Sequence, residues 1–189
     1  MESMQHIPLD QIQAGKPSIL GAPADAGRLE MIVRRPAVNA RELLEAATLD
    51  VVQGLVGDTW KDRGSSRTSD NTPHPDMQLT LMGVRVISLL AGDRSRWPLA
   101  GDQLFVDFDL SAANLPAGTR LAIGTAVIEV TPQPHTGCGK FVERFGVEAM
   151  KFVNSPEGRA LNLRGINARV VTPGEVRVGD SVRKIQNRD

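Results

Sequence analysis

The longest apolar stretch of the chain, around Val84–Ala91, is broken by Arg85, and most other apolar runs stop at a glycine or a proline. With 18 glycines and 12 prolines among 189 residues, no segment reaches the roughly 20 apolar residues of a membrane-spanning helix. Short strands with a few small helices, joined by tight turns, are what such punctuation allows. The fold class it implies is mainly β, a small barrel or a strongly curved sheet.

Along the chain, residues 1–28 read as an N-terminal loop or extension, and 29–189 as one domain. Leu29–Arg34 alternates as a strand stopped by Pro36. Asn39 and Glu42 have the spacing of a capping box and predict a short helix with Leu43, Leu44, Ala46 and Ala47 on its apolar face. Residues 58–78 form a long polar loop of the kind that usually carries function. Strands are expected at Thr80–Leu81, Val84–Leu90, Gln103–Leu110, and on both sides of Gly124. Residues 140–153 turn helical, with Gly146 splitting them in two, and Pro156–Leu163 adds a further turn. Pro173-Gly174 predicts a hairpin between Ala168–Thr172 and Val176–Lys184.

Composition excludes several functions. One cysteine forms no internal disulfide. The 22 basic and 22 acidic side chains cancel, and aromatics are 4%, which argues against a nucleic-acid partner. The N-terminus lacks the basic and apolar regions of a secretory signal, so no membrane partner and a cytoplasmic location are expected.

The chemistry concentrates in Thr131–Phe145 (TPQPHTGCGKFVERF), where Gly137 and Gly139 flank the lone thiol, Cys138. Glycines leave that side chain unshielded, and Lys140 opens the following helix. His135 lies within reach of polarising the thiol, so Cys138, His135 and Lys140 are the candidate catalytic residues. His74, framed by two prolines, offers a directed imidazole, and with His135 and Cys138 it could make a three-ligand zinc site. Arg159, Arg164 and Arg169 lie in a stretch with no acidic residue and could clamp an oxyanion. Asp58, Arg63 and Arg67 in the long loop are further polar candidates. No Walker A, GxGxxG or GxSxG pattern occurs.

The order of these segments resembles the MOSC domain, found at the C-terminus of molybdenum cofactor sulfurases and as small stand-alone proteins. The likeness runs through Gly57-Asp58, Gln78–Leu81, Leu99–Asp102, Leu115–Gly124, Pro134–Phe141, Arg164–Val171 and Gly174–Asp180. It implies a mixed-strand β-barrel with peripheral helices. It also implies that Cys138 carries sulfur as a persulfide or ligates the molybdenum of a molybdopterin cofactor. Arg164, Asn167, Arg63, Arg67, Asp58 and His74 are then candidates to hold that cofactor. The alternatives are a non-catalytic molybdopterin-binding module and a small-molecule enzyme with a cysteine nucleophile. Many relatives carry Arg-x-Pro-Cys where this chain has His135-Thr136-Gly137-Cys138. No pyridoxal-phosphate site is expected, so sulfur would come from a partner, a cysteine desulfurase, and a molybdoenzyme is the other expected partner.

Overall fold

The computed structural model describes residues 6–186. Its strands are β1 (Ala26–Arg34), β2 (Glu42–Leu44), β3 (Ala46–Asp50), β4 (Gly54–Leu55), β5 (Leu79–Gly83) and β6 (Leu104–Asp107). They continue with β7 (Arg120–Ile123), β8 (Ala126–Val130), β9 (Ile166–Thr172), β10 (Gly174–Arg177) and β11 (Ser181–Ile185). The helices are α1 (Leu9–Ala14), α2 (Lys16–Leu20), α3 (Val84–Ala91), α4 (Gly139–Phe145), α5 (Val147–Asn154) and α6 (Pro156–Ala160).

Seven strands close into a barrel in the order β1-β11-β7-β8-β9-β5-β6, returning to β1, and β2 flanks β1 outside the ring. Six of the seven neighbouring pairs are antiparallel; β5 and β6 run parallel. A second, three-stranded sheet pairs β10, β3 and β4. The expected mainly β, mixed-strand barrel with a few short helices is therefore the observed architecture.

Strand alternation builds two apolar layers. Leu29, Ile32, Leu81, Leu104 and Val106 fill the barrel interior. Met31, Val33, Met82 and Phe105 point outward, where Ile87, Leu90, Trp97, Phe141 and Phe145 cover them. Burial on both faces explains why these strands read as nearly continuous apolar runs. Phe141, Phe145, Ala149 and Val153 recur every four residues, so α4 and α5 present one buried stripe although Gly146, at φ +92°, breaks the helix between them.

Three local expectations fail for physical reasons. Val84–Leu90 is a helix, not a strand. The parallel β5–β6 pair needs a crossover, and Val84, Ile87 and Ala91, with Val86 and Leu90, bury a face of helical period. In place of the capped helix expected from Asn39 onward, the chain forms β2 and β3 on either side of Glu45. Asn39 takes φ +63°, and Leu43 and Leu44 pair with Val33 and Ile32 of β1, so a partner strand overrides the capping spacing. The hairpin at Pro173-Gly174 does not form either, because β10 leaves β9 and pairs with β3 while β11 returns to β7 and β1.

Of residues 1–28, expected as a loop, 1–5 lie outside the described residues and the rest contain α1 and α2, with Ile12 fully buried in the outer apolar layer. No helix among the described residues is long and apolar enough to cross a membrane. Ile12→Ala is expected to cost about 2–5 kcal/mol in urea unfolding, the loss of a packed aliphatic side chain. A true surface extension would keep the change within about 0.5 kcal/mol.

Candidate functional site

One backbone rung sets the position of the site. Val33, Gln103, Thr80, Asn167 and Thr131 are linked in turn across β1, the approach to β6, β5, β9 and the exit of β8. Side chains just beyond this rung meet at one end of the barrel. Arg35 follows β1, Asp102 precedes β6, and His135 and Cys138 follow β8.

The thiol segment is held in place by α5. The Asn154 carboxamide accepts from the Gly137 amide (3.0 Å) and donates to the Gly137 carbonyl (3.3 Å), acting as a surrogate strand partner. A Cβ on Gly137 would come within 2.6 Å of the Met150 sulfur, so a larger residue here would make that side chain shift. Cys138 then occupies the position before α4 in an extended conformation, and its side chain is exposed.

Cys138 opens onto a cleft of about 310 Å³. Six cations line it: Arg35, Arg41, Arg63, Arg144, Arg164 and Lys140; no Asp or Glu does. Lys140 and Arg144 share a face of α4 by their i,i+4 spacing. Burial, and then the charges of Arg144, Arg35 and Arg63, push the Arg41 guanidinium below its ordinary pKa, against the pull of Asp58. Arg63 is lowered in the same way, by burial first and then by Arg35. The cleft is a concentrated positive field that an anion would relieve.

Two buried carboxylates stand behind it. Asp58 accepts from the Arg35 amide, Nε and Nη2 (3.0, 2.8 and 2.7 Å) and from the Trp60 amide (2.9 Å). Burial alone would raise its pKa, but the Arg35 hydrogen bonds and charge outweigh that and hold it below the ordinary range. Asp102 pairs its Oδ2 with Arg164 Nη1 at 2.7 Å, while Arg164 Nη2 donates to the Ala100 carbonyl. Arg164 also lies over the Phe141 ring, 5.1 Å from its centroid. Burial pushes the Asp102 carboxyl upward, and Arg164 opposes it.

The sequence candidates are thus distributed as follows. Cys138, His135, Lys140, Arg63 and Arg164 share the cleft, Arg164 with its guanidinium already committed to Asp102. Asp58 lies behind the wall, anchoring Arg35. His74 lines an adjoining chamber of about 280 Å³ with Trp60, Arg63, Met77 and His135, and its Nδ1 accepts from the Asp76 amide. Asn167 lies in a third recess of about 350 Å³ and donates to the Gln133 carbonyl. Arg67 sits on the surface against Gln133. No group of three His, Cys, Asp or Glu able to hold a metal ion occurs among the described residues, so the zinc reading of His74, His135 and Cys138 fails. Arg159 and Arg169 do not join Arg164. The first bonds the Asn154 carbonyl, and the second pairs with Glu129 and Asp76 on the barrel surface. Arg35, Arg41, Arg144 and Asp102 escaped sequence reasoning as site residues; the Lys140/Arg144 spacing was the one local signal available.

Asp58→Asn is expected to destabilise the protein by about 3–5 kcal/mol, since it strands the buried Arg35 charge. In the wild type the stabilisation from Asp58 is complete above its unfolded pKa of about 3.9 and is lost as pH falls through the lower folded value. Denaturant titrations of both proteins should therefore converge toward acid pH.

The family model for the MOSC domain matches residues 86–183, more than half of the chain. No curated protein matches it in sequence. Among solved structures, the YuaD protein from Bacillus subtilis superposes with a TM-score of 0.58 at 17% identity, covering 85% of this chain and 97% of that one. YiiM from Escherichia coli gives 0.54 at 18% identity, covering 86% and 71%. YiiM from Geobacillus stearothermophilus gives 0.51 at 11%, covering 85% and 73%. At these identities the likeness is one of fold, and it is the barrel described above. Together with the match over residues 86–183, it makes the chain a member of the MOSC-domain family.

Proposed function

We propose that the cleft binds a molybdenum–pterin cofactor, with the Cys138 thiolate as a metal ligand and the surrounding arginines on the cofactor's phosphate. The observation that carries this reading is the lining itself: the lone thiol of the chain and six cations face one cavity that no carboxylate enters. The donor chemistry fits the group. Thiolate is a soft ligand suited to molybdenum, and guanidinium forks match phosphate oxygens bidentately. With no cluster of three protein ligands near Cys138, the remaining metal ligands belong to the cofactor.

When bound, such a group supplies redox or atom-transfer chemistry at its metal. The protein's residues bind and orient it. Arg35 is kept rigid by its fork to Asp58 and a bond to the Gly101 carbonyl (3.0 Å). Arg41 and Arg144 are braced by the Pro98 and Leu99 carbonyls. Preorganised in this way, the guanidiniums lose little freedom when an anion arrives. Arg63, which faces both the cleft and the adjoining chamber, supplies charge between them.

The exposure of Cys138 favours a second reading, sulfur carriage. In it, the Cys138 thiolate takes the outer sulfur of a donor enzyme's cysteine persulfide, the donor's sulfur–sulfur bond breaks, and the donor cysteine leaves as thiolate. A sulfur-accepting partner would reverse the step.

Metal analysis and intact mass of the wild type beside Cys138→Ser test both readings. Molybdenum that co-purifies with the wild type and is lost in Cys138→Ser supports cofactor binding. A gain of one sulfur atom on Cys138 after incubation with a cysteine desulfurase supports carriage, and neither result overturns both. The substitution should change stability by no more than about 0.5 kcal/mol, because the side chain is exposed. Arg63→Gln should weaken cofactor binding about tenfold or more, the equivalent of one charge-assisted hydrogen bond, with a reduced dependence on salt.

A further inference from the structure

His135 lies where the cationic cleft, the adjoining chamber and the third recess meet, and its side chain is 14% exposed. Its Nδ1 is buried and has no hydrogen-bond partner. Asp102 Oδ1 is likewise buried and without a partner, and the two atoms are 3.5 Å apart. Two orphaned polar atoms facing each other in a closed wall are costly unless they share a proton. The other Asp102 oxygen is taken by Arg164 at 2.7 Å; that ion pair opposes the upward push of burial on the carboxyl and leaves the second oxygen facing the ring.

We propose that His135 is the proton-transfer group of this site, with Nδ1–H turned to Asp102 and an unprotonated Nε2 presented to the junction of the cavities, and that Asp102 and Arg164 are its positioning residues. Arg164 fixes Asp102, Asp102 fixes the tautomer, and the tautomer decides which edge of the ring can accept a proton. The ligand this serves carries a dissociable N–H or O–H and lies between the thiol cleft and the Trp60–Met77 chamber. Its N–H or O–H bond breaks, the electron pair stays on the ligand, and the proton moves to Nε2. The resulting imidazolium is faced by the Asp102 carboxylate, and the reverse step returns the proton to product.

The surroundings suit a transient acceptor. Burial first, and then the charges of Arg164, Arg35 and Arg67, hold the imidazole well below its ordinary pKa. Asp102 is the carboxylate in ion-pair range of the ring, and Arg63 and His74 look on from the chamber. The ring is therefore neutral at physiological pH, with one nitrogen free to accept a proton.

This assignment rests on the cleft being the reacting site, but its test needs no cofactor, so its failure is distinct from a failure to bind molybdenum. The chain has three histidines, and ¹⁵N-histidine NMR of the free protein resolves their tautomers, with His135 identified by the signal lost in His135→Asn. The expected spectrum at neutral pH has a protonated Nδ1 and an unprotonated Nε2. An Nε2–H tautomer overturns the proposal. In Asp102→Asn the new amide would accept from Arg164 and donate to Nδ1, so the tautomer should flip to Nε2–H. A tautomer unchanged in that variant would overturn the positioning role of Asp102. The wild-type spectrum decides the tautomer even where the variant does not fold.

Discussion

The Asp58 carboxylate, buried and ringed by donors, is the contact on which the architecture of this barrel end depends. It grips the Arg35 guanidinium and the Trp60 amide, and the Gln103 carboxamide donates to it at 3.4 Å. Gln103 in turn accepts from both the amide and the hydroxyl of Thr80 and donates to the Gln78 carbonyl. Gln78 continues the chain to the Val170 amide and the Val51 carbonyl. One polar network thus joins β1, the long loop, β5, β6, β9 and the turn after β3. Such networks are costly when half satisfied and rigid when complete. This one is closed at nearly every member, and so the loop that begins at residue 58 is anchored to the barrel instead of lying loosely over it.

That anchoring turns strand ends into a site. Five strands of a closed barrel begin or end near the same rung, and each delivers one or two side chains to a common volume. The barrel supplies rigidity because it has no free edge to fray. The segments beyond the rung are short and braced: Gly137 by Asn154, Arg144 by the Leu99 carbonyl, Arg164 by the Ala100 carbonyl. Chemistry sits on connections, and precision comes from the scaffold beneath them.

What could be read from the sequence follows from this arrangement. The barrel class was legible because Gly/Pro punctuation and short apolar runs are local properties, as was the helix break at Gly146. The thiol segment was legible because its glycines, its cysteine and Lys140 are contiguous. Failures arose wherever the deciding partner was distant. Val84–Ala91 is β-branched enough to read as a strand, and only the parallel β5–β6 pairing demands a helix there. Leu43 and Leu44 fit a helix face until β1 is known to lie beside them. Arg35, Arg41 and Arg144 come from three separate elements, and no local pattern announces that they converge. Asp102 reads as a turn residue until Arg164 and His135 are folded against it.

Charge is the clearest case of a sum hiding a geometry. The 22 basic and 22 acidic side chains cancel, yet the acids are spent elsewhere. Glu129 is shared by Arg120 and Arg169, Asp107 is taken by Arg85, and Glu42 by Arg34, all around the barrel wall. Asp58 and Asp102 stand behind the cleft, and each is consumed by one arginine. Of the remaining cations, Arg41 and Arg63 are depressed by burial first and then by neighbouring arginines, which is a cost in the ligand-free fold. An anion of the right shape removes that cost on binding, so part of its affinity is already stored in the protein as unrelieved repulsion. A neutral chain can in this way concentrate positive charge in one cavity.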